Sequence, residues 1–199
     1  MRRIRFGTVA DVYEAFPALA KIVPPSDGER PPLDFVERLI RADRLDDALA
    51  FMAFLLPRRE VVWWGCRCLM AAGDVVEGAD KRSWALAANW ARSPDEQRRI
   101  AALDHGDTAD DSRAATWLTR AAAWSGGTMV VNEYSATLPP PDLTAKSIRA
   151  ALSISLGTHG EIAAKLRRDF LAMGLEIARA DSDLADDLAA FQKKMVAAG

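Results

Sequence analysis

The chain has 199 residues, half of them hydrophobic, with 26 basic and 28 acidic side chains and a formal net charge of −2. That length supports one sizeable core or two small ones, and the near balance of charge gives no electrostatic case for binding nucleic acid. Abundant alanine, two tyrosines and short β-branched runs favour helix, so the expected class is all-α: an irregular multi-helix bundle of about eight helices with a proline-rich strap.

Residues 1–32 read as an N-terminal arm and linker, and 33–199 as a helical domain. The basic start MRRIRF is followed by Asp11 and Glu14, which is not a signal-peptide core. Thr8 can cap a helix over 9–22 whose apolar face is Val12, Phe16, Leu19 and Ile22, with Pro17 interrupting or restarting it. VPPSDGERPP at 23–32 is a loop with turn formers at both ends, a candidate joint between the arm and the body. A short helix over 33–40 turns Phe35, Val36, Leu39 and Ile40 inward. Asp43, with Asp46 three residues on, reads as the cap of the next helix, which carries Leu45, Leu49, Met52, Ala53 and Leu56.

Residues 56–73, LPRREVVWWGCRCLMAAG, form the stretch around which the other helices are expected to pack. Pro57 suits a helix start and Glu60 suits its first turn. Apolar residues then cover a wide arc, so this helix is expected to be central. Arg58 and Arg59 stand at the wrong end for their own helix dipole. A solvated pair is the simpler expectation and a specific partner the sharper one. Trp63 and Trp64 point about 100° apart on a helix. Both suit the core or its boundary, and an exposed one would be a binding anchor. Cys66 and Cys68 diverge on a helix, make neither a disulfide nor a metal pair, and read as small buried hydrophobes in a reducing compartment.

After an acidic turn at 74–80, a helix over 81–92 holds Trp84, Leu86, Ala88 and Trp90. Ser93, Pro94 and Glu96 form a capping-box start for a helix ending near His105–Gly106. The helix over 110–124 puts Trp117 and Trp124 on one face, and Gly126 or Gly127 can take the left-handed position that ends it. Residues 128–142 show no helical period, and Pro139, Pro140 and Pro141 are expected to be stiff and extended. The stretch reads as a strap across the bundle, or alternatively as a docking segment. Thr144 can cap a helix to 156, GTHG at 157–160 breaks it, and Ile162, Leu166, Phe170, Met173 and Ile177 make the stripe of the helix that follows. Ser182 can cap a last helix of Leu184, Leu188, Phe191 and Met195.

The sequence carries no recognisable catalytic set. His105 and His159 each sit beside a glycine at a helix boundary and suit capping or surface roles. Gly126–Gly127 is not a phosphate loop, and His159 with Glu161 is not a zinc motif. No cofactor or metal is expected, and no run approaches the roughly 18 apolar residues of a membrane span.

LPRREVVWWGCRCL at 56–69 and AAAWSGG at 121–127, followed by LPPPDLTAKSIRAAL at 138–152, resemble DUF6931, a family of uncharacterised bacterial helical proteins. The resemblance spans roughly 35–175, and Thr128 departs from the serine that typically follows SGG. Some members are encoded beside type VI secretion components and forkhead-associated domain proteins. The resemblance therefore implies a cytoplasmic accessory role in a secretion apparatus, with another protein of that setting as partner; it brings no catalytic residue. The expected function is a non-enzymatic interaction or scaffold module. Its candidate surface is Arg58, Arg59, Trp63, Trp124, Ser125, Gly126, Gly127, Pro139, Pro140 and Pro141. An enzyme with an unrecognised site and a structural homo-oligomer are the alternatives.

Overall fold

The structure is a computed structural model that describes residues 4–26, 28–75, 78–132, 135–181, 184 and 189. The last predicted helix, from Ser182 through Leu188, Phe191 and Met195, lies outside the described residues apart from Leu184 and Ala189.

The elements among these residues are α1 (Val9–Ala15), α2 (Pro32–Arg41), α3 (Leu45–Leu55), α4 (Arg58–Ala72), α5 (Gly78–Arg92), α6 (Glu96–Thr108), α7 (Ala114–Ala123), α8 (Leu143–Thr158) and α9 (Ala163–Arg179). Short 3-10 turns at Pro17–Lys21 and Gly160–Ile162 follow α1 and precede α9. The class is the expected one, a helical bundle. Within 128–142, which was expected to be irregular, Met129–Asn132 and Ser135–Thr137 instead pair as a small antiparallel hairpin, β1 and β2. A short apolar run holding two adjacent valines has no length over which a period can show.

The helix α4 packs against α5, α7, α8 and α9, and α3 packs against α2, α8 and α9. Every residue of α3 outside Asp46 and Asp47 is buried, as are Val61 to Cys66, Cys68 and Leu69 of α4. Trp63 and Trp64 are 2% and 0% exposed. At ~25 cal/mol per Å² and roughly 200 Å² for each ring system, each contributes about 5 kcal/mol of burial. Trp64 donates its indole N–H to the Phe170 carbonyl at 2.8 Å, fixing α9 on α4, and Trp84 donates to the Cys66 carbonyl at 2.9 Å, fixing α5. At Gly65 a Cβ would stand 2.9 Å from both Ile148 Cδ1 and Leu118 Cδ1, so the absent side chain lets α7 and α8 close on α4. Cys66 and Cys68 are free and sealed, and burial pushes both thiols well above their usual pKa.

The N-terminal segment joins the same core through Val9, Val12, Leu19 and Val23. Thr8 caps α1 as its sequence suggests, in a full capping box with Asp11; the hydrogen bonds from the Thr8 and Gly7 backbone hold the Asp11 carboxyl below its usual pKa. Backbone bonds from Val9 to the Arg30 carbonyl and from Ala10 to the Gly28 carbonyl, both 2.9 Å, staple the loop to this helix end.

Other helix starts differ from the sequence reading. Asp43 is not a cap: it takes the left-handed conformation (φ 58°) in the tight link between α2 and α3, which an aspartate tolerates, and its carboxylate receives Arg168 at 2.7 Å. Asp95, not Ser93, caps α6 by accepting from the Arg98 N–H at 2.8 Å. Thr144 lies inside α8, and its hydroxyl donates to the Trp124 carbonyl at 3.2 Å. Ile162 is exposed, because the 3-10 turn shifts the phase of its stripe before α9 begins.

Candidate functional site

The two arginines that open α4 are both tied to neighbouring helices, Arg59 half-buried and Arg58 keeping an exposed side. Their own helix end offers them no carbonyls, but α4 begins where two other helices finish. Arg58 donates to the Ser125 carbonyl just beyond α7 at 2.7 Å. Arg59 donates to the Ala91 and Arg92 carbonyls at the end of α5, at 2.7 and 3.0 Å. Each cation thus meets the negative end of a neighbouring helix, where its charge is favoured and the unpaired carbonyls need donors.

The turn at 124–127 is held from three sides. Besides Arg58 and Thr144, it rests on Arg99, which is 4% exposed. Arg99 forms a two-pronged pair with Glu96 at 2.7 and 2.6 Å and donates to the Ala123 carbonyl at 2.9 Å. That pairing, chiefly the side-chain hydrogen bond, lowers the Glu96 pKa and raises that of Arg99. The guanidinium lies flat against Gly127: a Cβ there would stand 2.5 Å from its Nε. Ser125 turns its hydroxyl back onto the Ala122 carbonyl at 2.6 Å. Trp124 and Trp117 share a face as expected, and the Arg120 guanidinium between them stands 5.9 and 5.0 Å from their ring centres.

Beside Arg58 opens a groove of about 600 Å³. One wall is the N-terminal segment, with Arg5, Phe6, Ala15 and Phe16; the floor is Ala53 and Phe54 of α3 with Leu56, Pro57 and Val61; the far wall is Pro141, Thr144 and Ala145 at the start of α8. Phe16 packs edge-on against both Phe6 and Phe54, with ring centres 6.1 and 5.5 Å apart. The floor residues Ala53, Phe54, Leu56 and Val61 are nearly sealed, so the apolar surface the groove offers is that of Phe6, Phe16, Pro57 and Pro141, and among the described residues the only charged ones lining it are Arg5 and Arg58.

The structure gathers part of the predicted surface and disperses the rest. Arg58 and Pro141 line the groove, and Trp124 and Ser125 are tied to it through the Thr144 and Arg58 bonds. Gly126 and Gly127 follow in the same turn. Pro140 and Pro141 are exposed, whereas Pro139 is buried. Arg59 is committed to α5, and Trp63 is core packing, so neither serves as an exposed anchor. Arg5, Phe6 and Arg99 were not singled out by sequence, and Phe16 reads there only as part of the apolar face of the first helix. The signal existed: Arg5–Phe6 is a cation beside an aromatic in the lead-in, and Glu96–Arg99 has the spacing of a helical ion pair.

The histidines do not share this site. His105 Nε2 lies 2.8 Å from Ser83 Oγ and joins α6 to α5. Burial, and secondarily Arg82, lower its pKa. A serine–histidine contact could pass a proton, but Ser83 is 2% exposed and neither residue lines the groove. His159 ends α8, as its place beside a glycine suggests, and lies 2.8 Å from Asp74. Among the described residues no group of three or more histidine, cysteine or acidic side chains could hold a metal ion, and no helix is long and apolar enough to cross a membrane.

Compared with known proteins, residues 35–178 match the model of a family of unknown function, DUF6931. No curated protein and no solved structure matches the chain.

Proposed function

The chain belongs to DUF6931, and from that footing we propose that it is a protein-interaction module whose docking site is the groove between the N-terminal segment, the α3–α4 joint and the start of α8. The observation that carries this reading is the groove itself: about 600 Å³, walled by the half-buried Phe6 and Phe16 and edged by arginine. Buried aromatic and arginine groups around a concave apolar centre are the usual anatomy of a binding hot spot. The turn at 124–127 stands behind it as a support, since Arg58 and Thr144 both reach back to that turn. The large hydrophobic side chains exposed elsewhere among the described residues, Ile100, Leu138 and Ile162, sit singly on separate elements. The secretion-apparatus setting implied by the resemblance would make the partner a cytoplasmic protein of that machinery.

The test is capture from native cells with tagged protein, read by quantitative mass spectrometry, against an Ala15→Trp variant. Ala15 ends α1, is exposed and lines the groove, so tryptophan there fills the groove without entering the core. A partner retained by the wild type and lost at least tenfold in a variant of unchanged melting temperature supports the reading. If every captured protein is kept by Ala15→Trp, the groove is not the docking site.

A further inference from the structure

The charge around the groove is one-sided. Most arginines at the surface of this protein are matched to an acid: Arg44 with Asp47, Arg67 with Glu176, Arg167 with Asp46 and Arg168 with Asp43, all within 2.8 Å. Arg5 and Arg58 are not. Arg58 spends one N–H on the Ser125 carbonyl, and among the described residues no carboxylate pairs with either side chain. Among the described residues no acidic one lines the groove. One turn along α8 from Ala145, on the same helix face by spacing, Arg149 is half-buried, and among the described residues no acid pairs with it.

In a chain with a net charge of −2 this is a local positive edge on an apolar cleft. We infer that the groove takes an acidic peptide segment of a partner protein, one in which aspartate or glutamate flanks aromatic or aliphatic residues; this rests on the docking reading above. The apolar side chains would lie on the half-buried Phe6 and Phe16 and on the exposed Pro141, and the carboxylates would meet Arg5 and Arg58. Arginine is the cation suited to this, because its fork offers two parallel donors to a carboxylate and is weakly hydrated. A bare anion would satisfy the arginines and leave Phe6 and Phe16 wet. A purely apolar segment would leave both cations desolvated without a counter-charge, which costs free energy.

The inference is tested with a random peptide library displayed on phage and panned against the full chain. Enriched peptides should carry acidic residues beside phenylalanine, leucine or tryptophan. Binding of a labelled enriched peptide should weaken roughly tenfold or more in Arg5→Glu, the range of a lost charge-assisted hydrogen bond, and should weaken with added salt. Arg5 has no hydrogen bond within the described chain, so this variant should melt as the wild type does. Arg58→Glu is the second variant, with its melting measured because it also loses the Ser125 bond.

Enriched peptides without acidic residues that are still displaced by Ala15→Trp would overturn the acidic occupant and leave the docking reading standing. Enrichment that Ala15→Trp does not affect, or none at all, would remove both. Binding to anionic lipid vesicles that Arg5→Glu abolishes, in the absence of peptide enrichment, would assign the edge to a membrane surface and overturn the inference. So would self-association of the chain that Ala15→Trp abolishes.

Discussion

Trp63→Ala melts the protein instead of silencing a surface. Trp63 is among the largest fully enclosed side chains, on the helix that touches α5, α7, α8 and α9. Truncating it removes its transfer free energy and leaves a cavity that four helices cannot close without moving together, a loss of roughly 3–5 kcal/mol. Against a typical domain stability of about 5–15 kcal/mol, that is enough to lower the melting temperature by many degrees and to leave a measurable unfolded fraction. Urea denaturation of wild type and variant measures it. Trp63→Phe should lose clearly less, because it keeps an aromatic ring in the same space. A Trp63→Ala variant within about 1 kcal/mol of the wild type would mean that the ring is not core packing. The same result decides which substitutions can serve as binding controls: Trp63→Ala cannot, whereas the exposed Ala15 and Arg5 can.

Gly127→Ala is expected to lose roughly 2–4 kcal/mol while Gly126→Ala, one residue away, changes stability by no more than about 0.5 kcal/mol. Gly127 has φ +64°, where any side chain is strained, and a Cβ would stand 2.5, 2.6 and 2.7 Å from Arg99 Nε, Cζ and Nη2. The guanidinium cannot step aside cheaply, since Glu96 holds two of its nitrogens and the Ala123 carbonyl the third. A Cβ on Gly126 meets nothing within 4 Å. Thermal melts of the two variants check the contrast. Equal effects at both positions would sink this account of the turn.

What the sequence made legible followed from period and local chemistry. The apolar stripes of α2, α4 and α9, the Thr8 cap and the central place of 56–73 all rest on interactions within a few residues of one another, which sequence displays directly. The misreadings share the opposite cause. Ser93 is the exception, displaced by an equally local cap, since Asp95 accepts from the Arg98 N–H three residues on; Thr144 has good capping chemistry but turns to Trp124 on another element. Asp43 reads as a cap until the short α2–α3 link demands a left-handed residue. The partners of Arg58 and Arg59 lie 67 and 32 residues away in sequence, and no local pattern announces that α5 and α7 end where α4 begins. The groove is the extreme case. Its residues come from the chain start, the α3–α4 joint and α8, so only Arg58 and the prolines, singled out by the motifs around them, pointed toward it.

The most direct measurement of the docking site is photo-crosslinking in living cells from a benzoylphenylalanine placed at Ala15, beside a control at Ile100, which is exposed on α6 away from the groove lining. The groove account predicts a discrete adduct with a single partner protein from position 15, weakened when Arg58 or Arg5 is changed to glutamate and absent from position 100. Adducts from position 100 with none from position 15 would contradict it and move the interaction surface to another face of the bundle.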